Sequence, residues 1–253
     1  MSCTDKYIID AKDISYTYKG ADKPSVNSIS LQIKKGELYG LIGPNGAGKT
    51  TLISIIATLI KPAVGGSINI CGINLNSKPA DIRKQLGLIP QNIALFPELT
   101  GRENLFYFST MYGLKKKQIK KEIEKKLEMF GLKDKADKRV STYSGGMQRR
   151  INLLAGILHK PSLLLLDEPT VGIDAQSRNL IMENLILLKE QGISMIYTSH
   201  YMEEIEKLCS RISVIDNGRI IATGNPQTLV DEDPESSNLS ELFLNLTGKN
   251  LRD

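Results

Sequence analysis

The sequence predicts an α/β fold organised on a parallel sheet, and three observations carry that prediction. Residues 162–166 and 193–199 read as strands with a helix near 176–190 between them, the spacing of a βαβ unit. Leu163-Leu164-Leu165-Leu166 is a run of four leucines, as a strand buried on both faces requires. Residues 37–42 read as a buried strand that enters a glycine-rich loop and then a helix.

The elements follow in chain order. Residues 8–11 and 14–18 read as two short strands separated by polar residues. Residues 28–33 alternate with period two, as a half-buried strand does, until Lys34-Lys35-Gly36 breaks the pattern. Beyond the glycine-rich loop, residues 51–60 are apolar nearly all round and predict a buried helix, ended by Lys61-Pro62. Residues 67–72 form another short strand, and from about 82 to 160 the pattern is mostly helical. Within that stretch Ile119, Ile123, Leu127 and Phe130 share one helix face, and Glu122 and Lys126 are spaced for an i,i+4 ion pair. Asn217-Gly218 between two short apolar runs predicts a hairpin turn. The polar tail, 231–253, holds one apolar helix candidate at 239–246.

Length and composition bound the function. The 253 residues, 41% hydrophobic and 24% charged, suit one large or two small globular domains. No apolar run approaches the 18 residues of a membrane span, and the first residues show no apolar signal region. Cys3, Cys71 and Cys209 are odd in number and form no C-x-x-C pair, which argues against a disulfide framework or cysteine zinc site and fits a reducing cytosol. The two histidines, His159 and His200, lack zinc-site spacing.

Gly43-Pro44-Asn45-Gly46-Ala47-Gly48-Lys49-Thr50 matches G-x-x-x-x-G-K-[ST] in full, between a predicted strand and a predicted helix. Such a loop turns successive amides inward at a helix N-terminus and makes an anion nest. Lys49 would add charge to β- and γ-phosphates, and the Thr50 hydroxyl would ligate magnesium. Residues 162–166 then end in Asp167-Glu168, two carboxylates at the C-terminal end of a parallel strand, where ligands of open α/β sheets bind. Asp167 would hold the magnesium shell, and Glu168 can polarise an attacking water.

Just upstream, Tyr143-Ser144-Gly145-Gly146-Met147-Gln148-Arg149-Arg150 resembles the L-S-G-G-Q signature of ABC-family nucleotide-binding domains, with tyrosine for leucine and methionine for glutamine. On its own chemistry, Ser144 can N-cap a helix whose apolar stripe is Ile151, Leu154, Ala155 and Leu158, with Gly145 and Gly146 leaving the first amides uncovered. The resemblance runs from about residue 8 to 230, with every motif in family order. It implies a P-loop NTPase fold: a parallel-sheet core, an N-terminal antiparallel β subdomain, a helical subdomain inserted at about 82–160, and a short tail at 231–253.

The family pattern also implies a site. ATP and Mg2+ would be held by Gly43 to Thr51, with Thr50, Gln91 and Asp167 about the metal. Glu168, His200, Gln91 and Lys49 would carry catalysis. Gln91 matches the Q-loop glutamine, His200 the switch histidine and Asp174 the D-loop aspartate. Tyr18 fits the aromatic that stacks on adenine, with Tyr16 as a weaker candidate. Ser144, Gly145 and Gly146 would close on nucleotide held by a second subunit, arranged head to tail in a homodimer. Phe96 to Leu105 resembles the L-T-x-x-E-N-L stretch of exporter ATPases of the drug, sodium and polysaccharide class, and Thr100 with Glu103 can also form a capping box. A chain without a span implies a separate multi-span permease and a peripheral position on the cytoplasmic face of the membrane. The other class is a soluble ABC ATPase of DNA repair, chromosome structure, translation or iron–sulfur assembly. No second cassette, long coiled coil or cysteine insert points to it.

The charge balance is local. Of the formal +5, residues 115–139 hold 11 basic and 5 acidic side chains, a net +6, and the remainder is slightly acidic. A specific nucleic-acid partner is therefore not expected. The segment reads as a solvated helix face, or as a surface near anionic lipid headgroups once the chain docks.

Overall fold

The computed structural model describes residues 6–248, apart from the side chains of residues 116–118. Cys3 and the last five residues of the tail lie outside the described residues. Strands β1 (Tyr7–Tyr16), β2 (Val26–Lys34), β4 (Ser67–Ile70) and β5 (Ile73–Asn74) form an antiparallel sheet in the order β2-β1-β4-β5. The second sheet runs β10-β9-β3-β8-β7-β6. It comprises β3 (Leu38–Ile42), β6 (Leu86–Ile89), β7 (Leu163–Asp167), β8 (Ser194–Thr198), β9 (Arg211–Asp216) and β10 (Arg219–Gly224). Only β10 is antiparallel to its neighbour.

The four leucines of β7 show why that strand is central. Leu164 and Leu166 pack into the core beneath helices α5 (Gly145–Ile157) and α6 (Ala175–Glu190). Leu163 and Leu165 pack into the opposite core, against α1 (Lys49–Ile56) and the antiparallel sheet. All four are fully buried. Helices α3 (Gly101–Met111) and α4 (Lys116–Met129) extend the first core, where Ile119, Ile123, Leu127 and Phe130 are buried as their spacing predicts. Phe130 is wholly enclosed, so Phe130→Ala is expected to destabilise the protein by about 3–5 kcal/mol, read as a lower urea midpoint at unchanged slope.

Several local expectations give way to the structure. The two predicted N-terminal strands are one strand, β1, which absorbs the polar break as an irregularity at Asp13, where φ is 53°. The helix after the loop ends at Ile56, not Ile60, because Thr58 takes a left-handed conformation with φ of 62° and turns the chain away. Leu59 is consequently 63% exposed. The stretch read as helical from residue 82 contains β6, the edge strand beside β7. Its four residues are too few for periodicity to separate strand from helix. Glu122 pairs with Lys160 at 3.2 Å rather than with Lys126, since α5 delivers Lys160 alongside α4. Asn217 and Gly218 form the predicted hairpin turn, with φ of 47° and 73°.

The basic segment keeps its charge exposed. Its acids Glu124 and Asp137 are both taken by Arg102, and Glu122 by Lys160, cations from outside the segment. Lys115, Lys120, Lys121 and Lys125 are exposed and make no ion pair among the described residues.

Candidate functional site

The C-terminal ends of β3, β6, β7 and β8 lie side by side, and each delivers one part of the site. The loop after β3 is held by its neighbours. Gly218 of the hairpin donates its amide to the Ala47 carbonyl at 2.9 Å and accepts from the Asn27 amide at 2.8 Å, tying the loop to both sheets. Gly48 has φ of 109°, and a Cβ there would lie 2.2 Å from the Ser25 carbonyl oxygen, so no other residue fits. Lys49 is 6% exposed and its ammonium donates to the carbonyls of Gly43 at 2.7 Å and Pro44 at 3.0 Å. Burial lowers its pKa, while the carboxylates of Glu168 and Asp167 oppose that shift.

Asp167 and Glu168 part company at the end of β7. Asp167 accepts from Thr50 Oγ1 at 3.0 Å and from Thr198 Oγ1 at 2.9 Å. Glu168 turns away through a left-handed backbone with φ of 50°. A non-glycine residue pays on the order of 1–3 kcal/mol for such a conformation. The turn is pinned because the Glu168 amide donates to Thr198 Oγ1 at 2.9 Å. The Glu168 side chain then bridges two other segments: Gln91 Nε2 donates to its Oε2 at 2.9 Å, and His200 Nε2 meets its Oε1. The His200 hydrogen bond, aided by the charges of His200 and Lys49, holds its carboxyl below the ordinary 4.5 despite burial. Gln91 contacts Glu168 rather than the Thr50–Asp167 pair among the described residues.

Tyr18, 45% exposed, places its hydroxyl 3.3 Å from Thr51 Oγ1 beside the loop, and Tyr16 packs edge-on against its ring. Tyr16 itself packs partly into the core, so Tyr18 is the more exposed of the two rings.

Ser144, Gly145, Gly146 and Asp174 form a second cluster. Ser144 caps α5 by accepting from the Met147 amide at 3.3 Å, and Asp174 caps α6 by accepting from the Ser177 amide at 2.8 Å. Ser144 and Gly145 are exposed, but Gly146 is buried. A Cβ there would lie 2.1 Å from Ser177 Oγ, so this glycine lets α5 and α6 approach rather than standing open as expected. Tyr143, which departs from the family pattern, is a core residue whose hydroxyl donates to the Lys135 carbonyl at 2.7 Å. No hydrogen bond or ion pair joins this cluster to Lys49 or Thr50 among the described residues.

Three residues escaped sequence reading. Thr198 holds Asp167 and the Glu168 amide at once. Arg149 donates to the Gln91 carbonyl and, at 3.4 Å, to the Val171 carbonyl, joining the two clusters. Glu204 is a buried carboxylate below His200. An arginine one turn inside a capped helix was the available signal for Arg149. The other two offer none without the fold. In the stretch after Gln91, Thr100 and Glu103 make the predicted capping box, and buried Asn104 fastens Phe96 through its amide and carbonyl.

Residues 26–171 match the family model described as "ABC transporter". The chain is 48% identical over 222 residues to the linearmycin resistance ATP-binding protein LnrL of Bacillus subtilis, covering 88% of this chain and 70% of that one. It is 41% identical over 224 residues to the Nod factor export ATP-binding protein I of Rhizobium etli, covering 88% and 70%. Among solved structures it resembles the dimeric post-hydrolysis state of the ATP-binding cassette MJ0796 bound to ADP and Pi, with a TM-score of 0.77 and 27% identity over 86% of this chain and 98% of that one.

Proposed function

The chain belongs to the ABC transporter family as an ATP-hydrolysing subunit, and on that premise we propose that it powers an exporter through ATP-driven closure of a head-to-tail homodimer. The observation that carries the proposal is Glu168, bridged to Gln91 and His200 beside the Lys49–Thr50–Asp167 group. Relatives named for resistance and export favour this over a soluble repair, chromosome, translation or iron–sulfur role.

In this reading the loop amides and Lys49 bind the phosphates, Tyr18 stacks on adenine and Glu168 polarises the attacking water. His200 contacts the γ-phosphate. The Thr50 hydroxyl and Asp167 carboxylate are hard oxygen donors 3.0 Å apart, a donor set that fits Mg2+, which would neutralise charge on the β- and γ-phosphates. Ser144, Gly145 and Asp174, clustered apart from the loop, face the nucleotide of the second subunit.

No helix among the described residues is long and apolar enough to cross a membrane. The relatives named for resistance and export support a separate multi-span permease as the membrane partner, with the chain peripheral on the cytoplasmic face. An apolar cleft of about 600 Å3 between β6 and α3, lined by Leu59, Leu88, Phe108, Met111 and Tyr112, suits a segment of that partner. Leu59 and Met111 are 63% and 69% exposed there. Gly113 lines this cleft and the basic segment starts two residues later, which supports a place for Lys115, Lys120 and Lys121 near anionic headgroups. The test is purification from detergent-solubilised membranes with an affinity tag on the chain. A multi-span membrane protein that copurifies, with ATPase activity, is the expected result; ribosome or DNA association in its place overturns the exporter reading.

A further inference from the structure

Glu204 lies in α7 (Met202–Leu208), four residues after His200, and is 2% exposed. One of its oxygens, Oε2, accepts three hydroxyls: Ser199 at 2.6 Å, Tyr197 at 2.7 Å and Thr170 at 2.9 Å. The other, Oε1, faces Arg178 Nε at 3.5 Å, an ion-pair distance without hydrogen-bond geometry. Arg178 belongs to α6 and its guanidinium also lies 4.5 Å from the centre of the Tyr201 ring. Burial and the charge on Glu204 push the Tyr197 phenol well above its ordinary value, so it stays a donor.

The three donors come from two segments, one after β7 and the other at the end of β8. Thr170 is two residues after Glu168, Ser199 immediately precedes His200, and Tyr197 is in β8. Arg178 lies four residues into the helix that Asp174 caps. Placing a carboxylate in such a site is costly unless donors surround it. Among the described residues none of these groups bonds to the phosphate loop, so contact with that loop does not account for the arrangement. What the network does is hold the segment carrying His200 against the segment carrying Glu168.

We propose that Glu204 is a positioning residue for hydrolysis: it fixes the backbone at Ser199 and Thr170 so that His200 and Glu168 stay in mutual contact. The proposal rests on ATP hydrolysis by Glu168 and His200 as read above. Glu204→Gln keeps the side-chain volume and one acceptor oxygen for the three hydroxyls, but removes the charge and turns an NH2 donor toward the Arg178 guanidinium.

The experiment compares ATP turnover and ATP affinity in wild type, Glu204→Gln, His200→Ala and the double variant, by single-turnover hydrolysis with enzyme in excess. Glu204→Gln is expected to lower the hydrolysis rate about 10- to 100-fold with ATP affinity changed less than about threefold, and to add less than about twofold to His200→Ala. Amide hydrogen exchange is expected to quicken at residues 199–201 and to stay unchanged in the phosphate loop. A loss of equal size in both backgrounds, or unchanged exchange at 199–201, overturns the proposal. Ser199→Ala, which removes one donor, supplies the same comparison if Glu204→Gln does not fold. Wild type without ATPase activity would instead sink the functional reading beneath it.

Discussion

Glu168→Gln is expected to reduce ATP turnover about 100- to 10,000-fold while ATP still binds and an ATP-bound dimer accumulates. The substitution is nearly isosteric, and the left-handed backbone at residue 168 is held by the Thr198 hydroxyl, which the change leaves alone. The glutamine amide keeps one oxygen for Gln91, and its NH2 can donate to His200 Nε2 where that nitrogen is the ring's acceptor, so the site keeps its shape. What disappears is the charge that polarises water. Because the His200 contact holds the carboxyl below 4.5, Glu168 is ionised throughout the neutral range. The acid limb of the wild-type rate is then expected on the acid side of the ordinary glutamate range, with activity falling as the carboxylate protonates. Turnover at pH 7 with size measurement in ATP and magnesium checks both halves. A variant that remains monomeric with ATP bound contradicts the two-site dimer.

The parts of the site that were legible in the sequence are contiguous ones. Eight adjacent residues make the phosphate loop, and their strand–loop–helix setting follows from hydrophobic pattern alone. The four leucines before Asp167 announce their strand because burial on both faces leaves no polar position. Thr100 and Glu103 are legible for the same reason, since a capping box closes within one turn.

What was not legible depends on partners distant in the chain. Thr198 is an ordinary strand residue until β7 and β8 pair and bring it to Asp167. Arg149 acts through carbonyls 58 and 22 residues away. Gly146 matched its motif, yet its contact with Ser177 gives it a packing duty that the motif does not contain. The helix end at Ile56 was hidden because Leu59 and Ile60 continue the apolar pattern, although the left-handed Thr58 has already turned Leu59 outward.

Lys49→Ala is expected to weaken ATP binding about 10- to 100-fold, the worth of about 1.5–3 kcal/mol for a hydrogen bond to a charged group, and to lower hydrolysis further. The ammonium is the buried cation that stands between the loop carbonyls and the pair Asp167–Glu168. An anion brought to the loop amides without it faces two carboxylates with one compensating charge fewer. The loop itself should survive, because Gly48, Ala47 and the Gly218 hairpin hold it through backbone contacts that do not involve the side chain. The clean readout is therefore thermal: wild type gains stability with ATP and magnesium by mass action, about 2.7 kcal/mol at one hundred times Kd. The variant should melt near the wild-type temperature without nucleotide and gain far less with it. Lys49→Arg should not restore the shift, since a planar fork cannot take the place of a compact ammonium between the Gly43 and Pro44 carbonyls. A full ATP shift in Lys49→Ala would mean that the backbone nest alone binds the phosphates and that the lysine serves only the chemical step.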